Sequence, residues 1–259
     1  MEKLLFKQFA IPQLSRKDVL EKIIKYLLRP RGFFHIVSLN PENIILAERN
    51  RTFKKIVKTA QLPIIDGVGI VLAAQILHIT AGERYPGVDL MNDLIRLVGE
   101  MSLPVLLLGG KENLALQLAQ CYQRSYPKAK FRGIQGIRNI NKPTTLEEED
   151  IHSIVTTMRP RIVFAAFGSP AQELWFNSHK SWFRGTMCMG VGGGFDYLSG
   201  AIKRPNSLVR RLGLEWFFRL INQPWRMVRQ IRLLFFVGQV IKQLIYETIK
   251  PPRVFKTCR

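Results

Sequence analysis

PVLLLGGKENLALQLAQCYQRSYPKAKFRGIQ, residues 104–135, decides the fold. It opens on a short apolar run, Pro104 to Leu108, passes Gly109-Gly110 into a stretch of helical period, and closes on a second β-rich run, Phe131 to Gln135. A strand, a helix and a second strand in this order make a parallel pair joined by a crossover helix. The same alternation extends in both directions. It places further strands near Phe33 to Leu39, Leu62 to Asp66, Arg161 to Phe167 and Thr186 to Met189. Six strands separated by helices predict an α/β fold with a mostly parallel, doubly wound, Rossmann-like sheet. Helix starts add local support: Asn40-Pro41-Glu42 and Ser169-Pro170 each set a capping side chain before a proline, and Thr144 with Glu147 has capping-box spacing. No solenoid-type repeat or low-complexity segment competes with this reading.

Lysine and arginine total 39 against 19 acids, a formal charge of +20. An anionic partner is implied, and nucleic acid, an acidic membrane surface and phosphorylated small molecules all qualify. Cys121, Cys188 and Cys258 are scattered and odd in number, which suits a reducing compartment. Lys7 interrupts the first apolar stretch, so no secretion signal is expected and the cytoplasm is the expected location. No window reaches the roughly 18 uncharged apolar residues that a membrane span needs, and LLFFVGQVI at 233–241 is about half that length, so membrane contact is expected to be peripheral.

After about Gly200 the alternation gives way to aromatic-rich, arginine-rich helical text. A core over 1–199 with a helical, membrane-associating appendage over 200–259 is therefore expected. Residues 203–232 hold eight cations, including Arg219, Arg226, Arg229 and Arg232, against one acid, Glu215. Arg226, Arg229 and Arg232 recur at helical spacing beside Val228, Ile231, Leu234 and Phe235. That face suits lipid headgroups, or equally a basic helix whose arginine stems cover apolar surface.

Ligands of open parallel sheets bind at the carboxyl ends of the strands, where loops lead to helix N-termini with free N–H groups. The strand ends here are Ser38-Leu39-Asn40, Asp66-Gly67-Val68-Gly69, Gly109-Gly110, Gly168-Ser169-Pro170 and Gly190-Val191-Gly192-Gly193-Gly194. Five small, polar or glycine-rich ends converge. The glycines at 190–194 allow close approach to a phosphate, or serve a turn after a buried strand. Asp66 is a turn former or helix cap, or a general base for a reacting hydroxyl. Asn40 and Ser38 have equally local readings as a cap and a backbone partner. A dinucleotide site would want an acid at a strand end about 20 residues on; Glu215 has that spacing but lies in helical text, which argues against a dehydrogenase. His35, His78, His152 and His179 form no metal-ligand spacing, and no DxD follows a strand, so a metal-independent reaction without a cofactor is expected.

In order along the chain stand SLNPE (38–42), DGVG (66–69), ERYPGVDLM (83–91), LLLGG (106–110), GSPAQE (168–173), GVGGGFD (190–196) and GLEWFFRLINQPWR (213–226). This series resembles the WecG/TagA/CpsF glycosyltransferases over most of the chain. The resemblance implies an inverting transfer of an N-acetylmannosamine-type sugar, its uronic acid or another hexose from UDP. The implied acceptor is an N-acetylglucosamine on a polyprenyl pyrophosphate at the inner face of the cell membrane. It makes Asp66 the base and puts Ser38 and Asn40 at the reacting centre. Gly109, Gly110, Gly168, Gln172, Glu173, Gly190, Gly192 and Asp196 fall on the nucleotide-sugar side, and Arg84, Arg219, Arg226 and Arg229 on the acceptor pyrophosphate. Two motifs depart from the family: Pro170-Ala171-Gln172-Glu173 replaces Pro-Lys-Gln-Glu, and Arg204-Pro205-Asn206 replaces Arg-Ala-Pro, which bears on the donor's identity. Competing readings are a nucleic-acid-binding protein, disfavoured because aromatics cluster with arginines on helices, and a non-catalytic membrane scaffold, which leaves the polar strand ends unexplained. The implied partners are thus a UDP-sugar, a lipid-linked acceptor and an anionic membrane without nucleic acid, with a homo-oligomer left open.

Overall fold

The computed structural model describes residues 4–6, 8–206, 208–209, 213–222 and 227–249. Its elements run α1 (Arg16–Leu28), β1 (Phe34–Leu39), α2 (Pro41–Arg49), α3 (Arg51–Thr59), β2 (Leu62–Ile65), α4 (Val68–Ile76), α5 (Gly87–Glu100), β3 (Pro104–Gly109) and α6 (Leu114–Ser125). They continue with β4 (Lys130–Ile134), α7 (Thr145–Met158), β5 (Ile162–Ala166), α8 (Ala171–Ser178), β6 (Met187–Gly190), α9 (Gly194–Leu198), α10 (Glu215–Asn222) and α11 (Met227–Ile249). All six expected strands are present within a residue or two of their expected bounds.

The strands form one parallel sheet in the order β2-β1-β6-β5-β3-β4. Both faces are covered, because alternate residues of each strand enter different apolar clusters. Ile36, Leu62, Leu107, Phe164 and Met189 pack with α1, α5 and α6. On the opposite face Val37, Leu39 and Ile65 pack with α2, α3 and α4, and Leu106, Val163 and Cys188 with α7 and α8. Pairing the first strand with the last is what builds the site: β1 lies between β2 and β6, with β5 next to β6. Loops far apart in sequence thereby open side by side on one edge.

The caps follow local chemistry, with one correction. Asn40 accepts from the Asn43 N–H at 2.8 Å, and Thr144 with Glu147 closes both halves of a capping box. Ser169 does not cap α8; its hydroxyl donates to Glu173 Oε2 at 2.8 Å, and Pro170 stands at the cap position. The burial of the neighbouring carboxylate decides this, since Glu173 needs donors more than an exposed helix end does.

The C-terminal helix α11 packs along α2. Phe236 and Val240 are buried in one cluster with Leu5, Phe6 and Phe9 of the N-terminal segment. Gln243 fastens that segment, accepting from the Phe6 N–H at 2.6 Å and donating to the Leu4 carbonyl at 3.1 Å. Arg232 pairs with Glu42 at the start of α2. Among the described residues no helix is long and apolar enough to cross a membrane.

Candidate active site

The parallel strands end on a cleft of about 930 Å³ whose floor comes from the loops after β1, β2, β5 and β6. Asp66 follows β2 directly. Its Oδ1 accepts the Gly87 N–H at 2.8 Å, so the carboxylate sits at the N-terminus of α5, the positive end of that helix. Segment 84–87 is laid against β2: the Tyr85 N–H donates to the Ile65 carbonyl, and Arg84 Nε to the Asp66 carbonyl at 2.9 Å. Ser38 converges on the same point, for a Cβ built on Gly87 would stand 3.4 Å from Ser38 Oγ and 3.9 Å from Asp66 Oδ1. Asn40 lines the cleft beside them while its side chain caps α2. Its neighbour Asn43 donates to the Ser38 carbonyl at 2.8 Å and fixes the end of β1.

Across from Asp66, the β5 and β6 loops are tied together by one buried side chain. Gln172 Oε1 accepts from the Gly168 N–H at 3.1 Å and the Gly192 N–H at 3.3 Å, while its Nε2 donates to Glu173 Oε1 at 2.8 Å. Two N–H groups that the glycine motifs offer are thus already bound to Gln172. Gly190 is required here by close approach, since a Cβ on it would fall 2.3 Å from Gln172 Nε2. Glu173 is fully buried, and burial raises its carboxyl above the usual carboxylate range, against the lowering by Gln172 and Ser169.

Asp196 is 9% exposed, lines the cleft, and has no hydrogen-bond partner for its Oδ1. Lys111 Nζ stands 3.8 Å from that oxygen, on a side chain 69% exposed. A largely buried carboxylate on the cleft wall with a cation beside it suits a ligand that brings a hydrogen-bond donor next to negative charge. Gly109 ends β3, and Gly110 after it lines the cleft with Phe195 against it.

The mouth of the cleft carries an ionic clasp. Glu215, the first residue of α10, accepts from Arg84 Nη2 at 2.9 Å and from Arg204 Nη2 at 3.2 Å. Arg204 Nη1 also pairs with Asp89 Oδ1 of α5 at 2.5 Å. Gly213 is pressed onto Val68 at the start of α4, where a Cβ would lie 2.5 Å from Val68 Cβ. The segment before α10 is therefore held against the Asp66 loop by charge and by contact. Arg226 lies outside the described residues, as do the side chains of Arg219 and Arg229.

The structure thus gathers Ser38, Asn40, Asp66, Arg84, Gly168, Gln172, Glu173, Gly190, Gly192 and Asp196 around one cleft. Sequence reasoning left Lys111 and Arg204 out of the candidate site. Lys111 was within reach, because it follows Gly109-Gly110 at a strand end. The pairing of Arg204 with Asp89, 115 positions earlier, had no signal in either motif. Among the described residues no three His, Cys, Asp or Glu side chains are grouped to hold a metal ion. His35 is a core residue between Phe33 and Phe176, and burial pushes its imidazole down to about 3.

Residues 5–249 match the model of the glycosyl transferase WecG/TagA/CpsF family. The chain belongs to this family. Relatives include proteins of Staphylococcus aureus strains MW2 and NCTC 8325, each 28% identical, and strain MRSA252, 27% identical. Each similarity covers 197 residues, 76% of this chain and 75% of the relative. All three relatives are named N-acetylglucosaminyldiphosphoundecaprenol N-acetyl-beta-D-mannosaminyltransferase. The membership gives the nucleic-acid reading no support.

Proposed function

We propose that this glycosyltransferase moves an N-acetylmannosamine-type sugar from UDP onto the N-acetylglucosamine of a polyprenyl-diphosphate-linked acceptor. The carrying observation is the placement of Asp66. Its carboxylate is fixed by the Gly87 N–H on the cleft floor, next to Ser38 and between two cationic regions. In the reaction the acceptor hydroxyl gives its proton to Asp66 as its oxygen attacks the anomeric carbon. The bond from that carbon to the UDP oxygen breaks, and its electron pair leaves with the diphosphate. Attack opposite the leaving group inverts the anomeric centre. Ser38 and Asn40 orient the reacting sugars.

The donor's nucleotide lies over the ends of β5, β6 and β3. Asp196 accepts a hydrogen bond there, and Lys111 offsets the charge that grows on the departing diphosphate. Gln172 and Glu173 act by holding the Gly168 and Gly192 loops in shape. The acceptor's diphosphate lies at the opposite mouth with Arg84, joined by Arg219, Arg226 and Arg229. Residues 1–199 supply the chemistry, and 200–259 supply acceptor contact and adhesion to an anionic leaflet at the inner face of the membrane. Exposed Ile231, Leu234, Ile245 and Ile249 on α11 support that adhesion, with basic residues nearby giving about 1 kcal/mol each near such a surface.

The test is a reaction of the purified chain with UDP-N-acetylmannosamine and a lipid-linked N-acetylglucosaminyl diphosphate. The expected product carries one added hexosamine in a linkage inverted relative to the donor, read by mass and NMR coupling. Retention of configuration, or no transfer with any UDP-hexosamine, would overturn the reading.

A further inference from the structure

Much of the cleft wall is apolar, although transfer between two sugars calls for polar contacts. Along α4, Val68, Leu72 and Ile76 follow at i, i+4 and i+8, share one face, and all line the cleft. Val237, Ile241 and Leu244 of α11 line it as well. Leu72 is 50% exposed, Ile76 48%, Val237 46% and Ile241 50%. The two helices therefore leave a groove of aliphatic side chains half open to water, continuous with the reaction floor.

The groove has a polar end and an apolar end. Gly67, next to Asp66, caps α4, and Val68 lies under Gly213 beside the Arg84–Glu215–Arg204 clasp. At a rise of about 1.5 Å per residue, Leu72 stands about 6 Å and Ile76 about 12 Å beyond Val68 along the axis. A ligand running down the groove thus leaves the carboxylate and the arginines behind and meets only hydrocarbon.

The outer side of α11 continues that surface. Met227, Ile231, Leu234, Ile241, Ile245 and Ile249 are all exposed, and at about 100° per residue they fall within about 80° of one another. The groove-lining Val237 and Leu244 occupy the adjoining flank, and Ile241 belongs to both sets. Around Leu234, Val237, Ile241 and Leu244 the apolar sheath on the helix exterior therefore turns directly into the groove.

We propose that the groove between α4 and α11 is the subsite for the isoprenoid tail of the acceptor, entered from a membrane lying on the outer stripe of α11. It rests on the transfer reaction proposed above, whose acceptor provides both groups in the right order. The diphosphate sits at the arginine end, the linear hydrocarbon follows past Leu72 and Ile76, and the remainder of the tail stays in the bilayer. The tail then positions the acceptor sugar over Asp66 and makes the enzyme selective for lipid-linked substrates.

Two water-soluble acceptors test this without any membrane: N-acetylglucosaminyl diphosphate esterified with a farnesyl chain, and the same diphosphate esterified with a methyl group. With UDP-N-acetylmannosamine as donor, the wild-type chain is expected to favour the farnesyl compound at least about tenfold in kcat/KM. In Leu72→Gln with Ile76→Gln, and separately in Val237→Gln with Ile241→Gln, that ratio is expected to fall to within about threefold. Both pairs are half-exposed, so a melting curve identifies a misfolded pair and the other pair carries the test. A wild-type ratio near one with both acceptors turned over would overturn the subsite and leave the reaction standing. A high ratio retained in a folded variant of both pairs would place the tail elsewhere and overturn it too. Turnover of neither acceptor by the wild-type chain would remove the reaction itself, and the occupant with it.

Discussion

Gln172 and Phe236 face the same cleft, but different forces hold them there. Gln172 is fixed by hydrogen bonds from two loops that end adjacent strands of a six-stranded sheet. Phe236 belongs to a helix joined to the rest by one apolar face, the Gln243 contacts and the Arg232–Glu42 ion pair. Around Gln172 the backbone is packed so closely that a methyl group has no room, whereas the α4–α11 side leaves large aliphatic side chains half in water. The contrast matches two tasks. Bond making requires groups held to a fraction of an ångström, while a long hydrocarbon tail requires an open surface that a lipid can slide into.

The sharpest break of the comparison comes from the floor. Asp66→Asn keeps the acceptor for the Gly87 N–H and so is expected to keep the fold, but it removes the base. Turnover should fall about 10²- to 10⁴-fold at an unchanged melting temperature. Loss of folding instead would make Asp66 a structural residue of the α5 start.

Rigidity of the floor is tested by Gly190→Ala, whose added methyl overlaps Gln172. Overpacking of this kind costs about 1–3 kcal/mol, which a denaturant titration reads. On the other side, Glu215→Ala leaves Arg84 and Arg204 without their shared carboxylate. Both guanidiniums are partly exposed, so a cost of about 1 kcal/mol is expected. It should appear as faster amide exchange confined to α10 and α11, with the sheet unaffected. Faster exchange throughout the sheet would mean that the two regions are not separable.

The smallest expected effect is at Glu173. Burial raises its carboxyl in the folded state, so the stability it contributes is present below the ordinary carboxylate range and lost as pH rises through the folded value. Glu173→Gln keeps the oxygen that accepts from Gln172 and turns its amide N–H to donate to Ser169 Oγ, so both partners stay paired without the buried charge. It should melt slightly higher than the wild type at neutral pH, and the difference should vanish in acid. A wild type that gains stability relative to the variant as pH rises would reverse the assignment.

How much was legible in the sequence divides along the same line. Strands and loops of the floor were readable because alternation, capping and glycine-rich ends are local signals. The order β2-β1-β6-β5-β3-β4 was not, since nothing local states that the first strand pairs with the last. Ser169 was misread as a cap because its partner, Glu173, is buried only by the fold. Gln172 and Glu173 came from the motif, but their function as a tie between loops needed coordinates. Arg204 has no local signal because its partner Asp89 is distant in sequence, whereas Lys111 follows a glycine-rich strand end and was legible there. For α11, helical text and basic character were evident, while its groove with α4 depends on how the two helices face each other.

A crossed kinetic measurement tests most directly the claim that the ends of β3, β5 and β6 take the donor and the α4–α11 wall takes the acceptor's tail. Lys111→Ala, and Leu72→Gln with Ile76→Gln, would each be assayed against varied UDP-sugar and varied lipid acceptor. The account predicts that Lys111→Ala raises KM for the donor about tenfold and leaves the acceptor's within about twofold, with the reverse pattern for the helix pair. Both variants raising the same KM, or the two patterns exchanged, would contradict it.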